Sequence, residues 1–95
     1  MQSQEIVWGS FDYGQRHYVV TNGATANMIR VFVGDPRTGV MVCSVHGLDG
    51  RPETQWNSSY LETSKAWKDG FAYMAERTYL EGQTRRATTR TCDGL

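Results

Sequence analysis

The sequence predicts an α+β fold in which a four-stranded antiparallel meander sheet packs on one C-terminal helix. The first 46 residues contain short runs of β-branched and aromatic residues, separated by Gly, Asn, Asp and Pro. From residue 60 onward, apolar residues instead recur at steps of three and four, which is typical of a helix. A chain of 95 residues can enclose one hydrophobic core.

The four predicted strands are residues 5–11, 15–21, 26–34 and 40–46. Asn22 and Gly23 separate the second strand from the third, and both tolerate the positive φ of a type I′ turn. Pro36 and Gly39, in the segment 35–39, predict a second hairpin in which Gly39 takes a left-handed conformation at the exit.

A two-residue loop at Asn22 and Gly23 would determine which side chains share a face of the sheet. One face would carry Tyr18, Val20, Ile29, Val31 and Val33. The other would carry His17, Val19, Met28, Arg30 and Phe32, with Tyr13 near the end of the ribbon. A single helix covers only one face, so the other is predicted to meet a partner or to be covered by the N-terminal strand and the tail.

Residues 47–57 form a polar connector with neither strand nor helix periodicity. Ser59 and Glu62 then predict a capping box at the helix start, and Gly82 predicts a C′ residue with the helix ending near Leu80. Gly70, inside the helix, indicates close approach to the sheet. The predicted apolar stripe is Tyr60, Ser64, Trp67, Phe71, Met74, Ala75 and Thr78. Trp67 is expected in the core, and Trp56 is expected to pack on the first helical turn.

The net charge of zero divides unevenly along the chain. Residues 83–95 hold three arginines and one aspartate, a net charge of +2, while residues 1–82 carry −2. We therefore expect a single domain over residues 1–82 and a basic C-terminal tail over 83–95, either frayed or paired as an extra strand.

Cysteine usage and hydropathy predict a cytoplasmic protein without a membrane partner. Cys43 and Cys92 lie 49 positions apart, without metal-ligand or redox spacing, and are expected to be free thiols. No apolar run approaches the roughly 20 residues that cross a bilayer, and the first residues lack the pattern of a secretion signal.

Few residues could support catalysis, and they do not form a recognisable motif. The candidates are His17, His46, Cys43, Asp49 and Glu53. Of these, His46 and Asp49 stand close together after a predicted strand, where a histidine is usually a polar residue at the water boundary. There is no zinc-ligand spacing and no phosphate-binding glycine loop, so we expect a protein that is not an enzyme and that uses neither cofactor nor metal.

Nucleic-acid binding is the alternative function. Tyr13, His17, Arg30 and Phe32, together with Arg37 and the tail arginines, are suitable residue types for base stacking and phosphate contact. Phosphate neutralisation normally needs a clear basic excess, however, and residues 1–82 are net acidic.

Binding to another protein is the leading expectation. The predicted partner-binding residues are of types enriched at interfaces, namely Tyr13, His17, Met28, Arg30, Phe32 and Arg37. In size, composition and its sheet-plus-helix build, the chain resembles small proteins of phages and mobile elements, including anti-CRISPR proteins. That resemblance implies an inhibitor that sterically blocks a host nucleoprotein complex. It transfers no functional residue, because no motif accompanies it.

Overall fold

The computed structural model describes residues 6–93, which fold into one antiparallel sheet and one long helix. The strands are β1 (Val7–Tyr13), β2 (Arg16–Asn22), β3 (Met28–Val33), β4 (Met41–His46) and β5 (Glu53–Trp56). They lie side by side in chain order, so the sheet is a simple meander. A 3-10 turn (Ser58–Tyr60) leads to the helix α1 (Lys65–Asp93).

The α+β class, the antiparallel meander and the single C-terminal helix are confirmed, but the predicted number of four strands is wrong. The fifth strand lies in the segment interpreted as a polar connector. Within it, half-buried Thr54 and Trp56 alternate with exposed Glu53 and Gln55, and Trp56 pairs with Cys43 of β4. A period of two repeated only twice is too short a pattern to recognise in a polar segment.

The type I′ turn lies between β1 and β2, and the turn predicted at Asn22 and Gly23 is wrong. Gly14 and Gln15 have φ of 57° and 69°, and Tyr13 pairs with Arg16 around them. Asn22 instead belongs to β2, where it pairs with Ile29, and residues 23–27 form a longer loop. The longer loop moves the pairing by an even number of positions, so each side chain keeps its predicted face.

The second hairpin is confirmed, whereas its predicted left-handed residue is wrong. The backbone N–H groups of Thr38 and Gly39 donate to the carbonyl of Asp35. Gly34 has the positive φ, at 71°, and Gly39 does not. Gly39 is needed for another reason, because a Cβ there would collide with the carbonyl oxygen of Val33.

The helix begins later than predicted, and the capping box at Ser59 and Glu62 is wrong. Ser59 lies in the 3-10 turn, which Asn57 caps by accepting the Ser59 N–H at 3.0 Å. Ser64 is the residue that caps α1, since its hydroxyl accepts the Trp67 N–H at 3.2 Å.

The helix also ends later than predicted. It passes Leu80 and Gly82 without a break, so the predicted boundary at residue 82 falls inside it, and residues 83–93 are helical rather than frayed or extended. Gly82 does not cap the helix. It allows the helix to approach β1, because a Cβ at this position would lie 2.9 Å from the carbonyl carbon of Trp8. The predicted strand start at Glu5, residues 94–95, and the side chains of Arg90 and Cys92 lie outside the described part of the protein.

α1 runs antiparallel to β1 and lies on one face of the sheet, the core face. Near its start the Tyr13 hydroxyl donates to the Trp67 carbonyl at 3.0 Å, and about three turns further on, Gly9 of β1 faces Thr78. Phe71 is the centre of the core, fully buried and in contact with five other aromatic rings. From Trp67 onward the predicted stripe is confirmed, and Trp56 packs on Trp67 with ring centroids 6.4 Å apart.

Candidate partner-binding surface

The face of the sheet opposite α1, which we call the open face, carries no packed element among residues 6–93. Strand pairing assigns its side chains, because directly opposed residues point to the same side. Across the three middle strands these are His17, Val19, Thr21, Met28, Arg30, Phe32, Met41, Ser44 and His46. All the aromatic contacts of α1 are made on the core side, with rings such as Phe11 and Tyr18.

An apolar row crosses the open face. Phe32 on the central strand pairs with Val19 on one side and with Met41 on the other. Met41 reaches this position because Val42 bulges out of the β3–β4 register. All three side chains are half-buried, so each keeps part of its apolar surface accessible. The row is therefore a contiguous strip of accessible apolar surface in the middle of the sheet.

Arg30 lies directly beside this row, in the middle of the open face. Its cross-strand neighbours are Thr21 and Ser44, whose hydroxyl-bearing side chains are nearly buried. The Thr21 hydroxyl donates to the Asn22 carbonyl, and the Ser44 hydroxyl bonds to His46. Among residues 6–86, whose side chains the structure describes, the Arg30 guanidinium makes no ion pair and no hydrogen bond. It is a half-buried cation without a counter-charge in that part of the chain.

The acidic side chains of the open face lie at its two edges. Asp12 on β1 accepts a hydrogen bond from the His17 imidazole, with Oδ1 and Nδ1 2.7 Å apart. Glu53 lies on β5 opposite His46. Both edge strands are two strands away from Arg30, roughly 10 Å across the sheet. The middle of the face therefore has a positive, partly apolar character.

A concave site of about 700 Å³ continues from the open face around the end of the sheet. We call it the end cavity. Arg30 and Phe32 form part of its wall, the 21–28 segment forms another part, and Ile6, Trp8 and Tyr79 complete it. Trp8 and Tyr79 make an edge-to-face contact with ring centroids 5.1 Å apart. The cavity thus joins the open face to an aromatic pair on the core side.

Four of the six residues predicted to bind a partner come together. His17, Met28, Arg30 and Phe32 share the open face. Tyr13 does not, and the predicted placement is wrong: alternation along β1 puts its ring on the core face, where it packs against Trp67 and Phe71. Arg37 stands on the β3–β4 hairpin, highly exposed, with its guanidinium 3.7 Å from the carboxylate of Asp35.

The arginines proposed for nucleic-acid contact differ in their surroundings. Arg37 is held at the hairpin, while Arg85 donates to the Trp8 carbonyl at 2.6 Å. Arg86 stacks over the Trp8 ring at 5.6 Å. Arg85 and Arg86 therefore both contact Trp8, which lines the end cavity together with Arg30, whereas Arg37 lies on the hairpin.

The catalytic candidates do not form one hydrogen-bonded group, although His46 lies opposite Glu53 across the β4–β5 pair. His46 bonds to the Ser44 hydroxyl, with the atoms 2.9 Å apart, and no hydrogen bond within residues 6–93 joins it to Asp49 or Glu53. Cys43 is fully buried on the core face, and burial raises the pKa of its thiol to about 12, so it is a poor nucleophile. The described residues contain no group of three or more potential metal ligands.

Sequence reasoning missed Met41 and Ser44 as members of this surface. Their place depends on the β3–β4 register, and the bulge at Val42 breaks that register within the strand. Small polar residues such as Ser44 also carry no signal of their own in a sequence.

Fold and surface together define a class, a single α+β domain whose antiparallel sheet is covered by a helix on one face and open on the other. No family model, no curated protein and no solved structure matches the chain. Within residues 6–93, no helix has both the length and the hydropathy required to span a bilayer. The contacts and charges of the open face are therefore the basis for proposing a function.

Proposed function

We propose that the protein is a non-catalytic binding domain that uses the open face of its sheet to occupy a surface on another protein. The observation that supports this most is the apolar row of Val19, Phe32 and Met41, accessible beside a cation that lacks a counter-charge among residues 6–86. A monomer gains nothing from leaving such a strip in water, whereas a partner would desolvate it.

The composition of the surface supports a protein partner. Aromatic residues, Met and Arg are enriched in the buried centres of interfaces. Phe32, Met28, Met41 and Arg30 lie together on two neighbouring strands. The strands already fix the backbone that carries these side chains, so little backbone entropy would be lost on association.

The mechanism that we propose is steric. A domain of this size, longest in one direction at 49 Å, could block a functional surface of a larger assembly simply by occupying it. The resemblance to small phage and mobile-element proteins, including anti-CRISPR proteins, suggests a host nucleoprotein complex as the partner. On this proposal neither catalysis nor a cofactor is required.

Affinity capture from a lysate of the native host tests the proposal with two matched variants. Phe32→Asp places a charge in the centre of the apolar row and should abolish capture of the specific partner. Leu80→Asp makes the same chemical change on the outer side of α1, where Leu80 is 58% exposed, and should leave capture intact. Quantitative mass spectrometry of the captured proteins provides the readout.

Two results would argue against a protein partner on the open face. One is a set of captured proteins that does not differ between the wild type and Phe32→Asp. The other is recovery of nucleic acid whose binding falls steeply with added salt, which would favour the alternative of a nucleic-acid-binding module.

A further inference from the structure

We infer that the open face recognises a carboxylate that its partner carries between apolar side chains, and that Arg30 is the residue that receives it. This inference rests on the proposed function, because it specifies the chemistry of the protein partner bound there. It goes further in assigning one ionic contact to the centre of the interface.

The first argument is the position of Arg30. It stands on the central strand, half-buried, with nearly buried Thr21 and Ser44 on either side. Both neighbouring hydroxyl groups bond to other groups, and within residues 6–86 neither accepts a hydrogen bond from Arg30. The guanidinium therefore has its donors available, and a planar fork of N–H groups matches a carboxylate in a two-pronged geometry.

The second argument is what surrounds this cation. The apolar row with Phe32 lies on one side, Met28 lies on the other along the same strand, and the end cavity opens beside Arg30. An extended partner segment with an acidic residue two positions away from apolar residues on both sides would place its carboxylate on Arg30 and its apolar groups on Phe32 or in the cavity. Exclusion of water by the apolar groups strengthens the charged contact.

The third argument concerns why the surface suits a carboxylate better than the phosphates of a nucleic acid. A polyanion is held by several cations that follow its backbone. Arg30 is the only Lys or Arg on the open face of the described strands, and Asp12 and Glu53 lie at the edges. A single central cation inside an apolar surface suits one isolated carboxylate.

Titrations followed by NMR on uniformly ¹⁵N-labelled protein test this inference. The probe is an end-capped peptide with leucine, glutamate and leucine at every second position and threonine between them, so that all three side chains lie on one side of the extended chain. Its matched control has glutamine in place of glutamate. A twelve-residue oligothymidylate is the third probe. We expect the acidic peptide to shift the Arg30 Nε–Hε signal and the amides of Phe32 and Met28, with an affinity at least about tenfold above that of the glutamine peptide.

Three variants locate the contact. Arg30→Gln should remove the preference for the acidic peptide, and Arg30→Lys should retain part of it, since Lys keeps the charge but not the fork. Arg77→Gln removes an arginine that pairs with Glu81 on α1 and should bind like the wild type. The amide spectrum of each variant shows whether it is folded.

The outcomes separate this inference from the proposed function. If both peptides bind equally, if neither binds, or if Arg30→Gln retains the preference, the inference is wrong. Tighter binding of the oligothymidylate also contradicts it and favours phosphate recognition. Capture of a host protein could be lost with Phe32→Asp but kept with Arg30→Gln. That result would support the proposed function and contradict only the inference that the partner places a carboxylate on Arg30.

Discussion

Phe71 is the residue on which the packing of the core converges. Its ring lies 4.7 Å from that of Tyr18 and 5.0 Å from that of Trp67, measured between centroids. Contacts with Phe11, Tyr13 and Trp56 complete a cluster that joins α1 to three strands. Each edge-to-face or stacked pair adds about 0.5–1.5 kcal/mol beyond the apolar area that it buries.

Phe71→Ala should lower the free energy of unfolding by about 3–5 kcal/mol, because it leaves a cavity that five neighbouring rings cannot all move to fill. That loss is a large part of the total stability of a small domain. Tyr73→Ala, two positions along α1, is the control, because Tyr73 is 62% exposed. It should change stability by less than about 0.5 kcal/mol in the same urea titration. Equal effects of the two changes would contradict the assignment of Phe71 to the core.

Cys43 makes stability depend on pH in the alkaline range. Burial raises the pKa of its thiol from 9.0 to about 12 in the folded protein. Above pH 9 the unfolded chain releases this proton while the folded chain retains it, so stability is full below pH 9 and falls as the pH rises toward 12.

The variant Cys43→Ala should therefore lose stability less steeply than the wild type between pH 9 and 11, by up to about 1.4 kcal/mol per pH unit. Urea midpoints measured across that range give the two slopes directly. Cys92 is present in both proteins, so its titration cancels in the comparison. Parallel slopes would mean that the thiol of Cys43 is not shielded as the structure indicates.

At the scale of the elements, the contact between α1 and β1 determines how the helix lies. Gly9 and Gly82 are both positions where a Cβ would strike the opposite element, on Thr78 and on Trp8 respectively. The helix can therefore approach β1 closely at its edge of the sheet. The sheet has two edge strands, β1 and β5, and the helix packs on β1.

Gly82→Ala tests this contact. Alanine raises helix propensity by about 1 kcal/mol, but the added methyl group would press on the Trp8 backbone, and overpacking costs about 1–3 kcal/mol. We expect a net loss of stability in urea denaturation, whereas Gly50→Ala should be neutral because its Cβ would meet no atom within 4 Å. A stabilised Gly82→Ala protein would show that the helix does not pack on β1 at this point.

Patterns that repeat along the chain predicted the elements well, and features set by distant contacts could not be predicted. The helical stripe from Trp67 onward and the faces of β2 and β3 follow from periods of 3.6 and 2, which burial imposes locally. Gly82 looked like a helix terminus because its role, admitting the Trp8 carbonyl, depends on a residue far away in sequence. Asn22 looked like a turn residue, but its carboxamide accepts the N–H of Ile6 at 2.8 Å and it remains in the strand.

The candidate surface could be predicted in part for the same reasons. The predicted face is correct for four residues, because a change of register by an even number of positions leaves each side chain on the same face of the sheet. These residues are His17, Met28, Arg30 and Phe32. Tyr13 was grouped wrongly because its place depends on the β1–β2 register, which the turn at Gly14 and Gln15 sets.

At the scale of the whole molecule, one helix and one sheet of unequal size leave a surface uncovered. α1 has 29 residues and is about 43 Å long, whereas β1 has seven residues and is about 23 Å long. The helix lies on the core face, so no described element packs over the apolar row and Arg30 on the open face. We expect a protein partner to bind through that face.

Photo-crosslinking in the native host tests whether a protein partner binds through the open face. The photoreactive amino acid p-benzoylphenylalanine would replace Phe32 in one protein and Tyr73, on the outer side of α1, in another. We expect a discrete crosslink to another protein from position 32 and none from position 73. A crosslink from position 73 alone, or attachment of position 32 only to nucleic acid, would contradict binding of a protein partner through the open face.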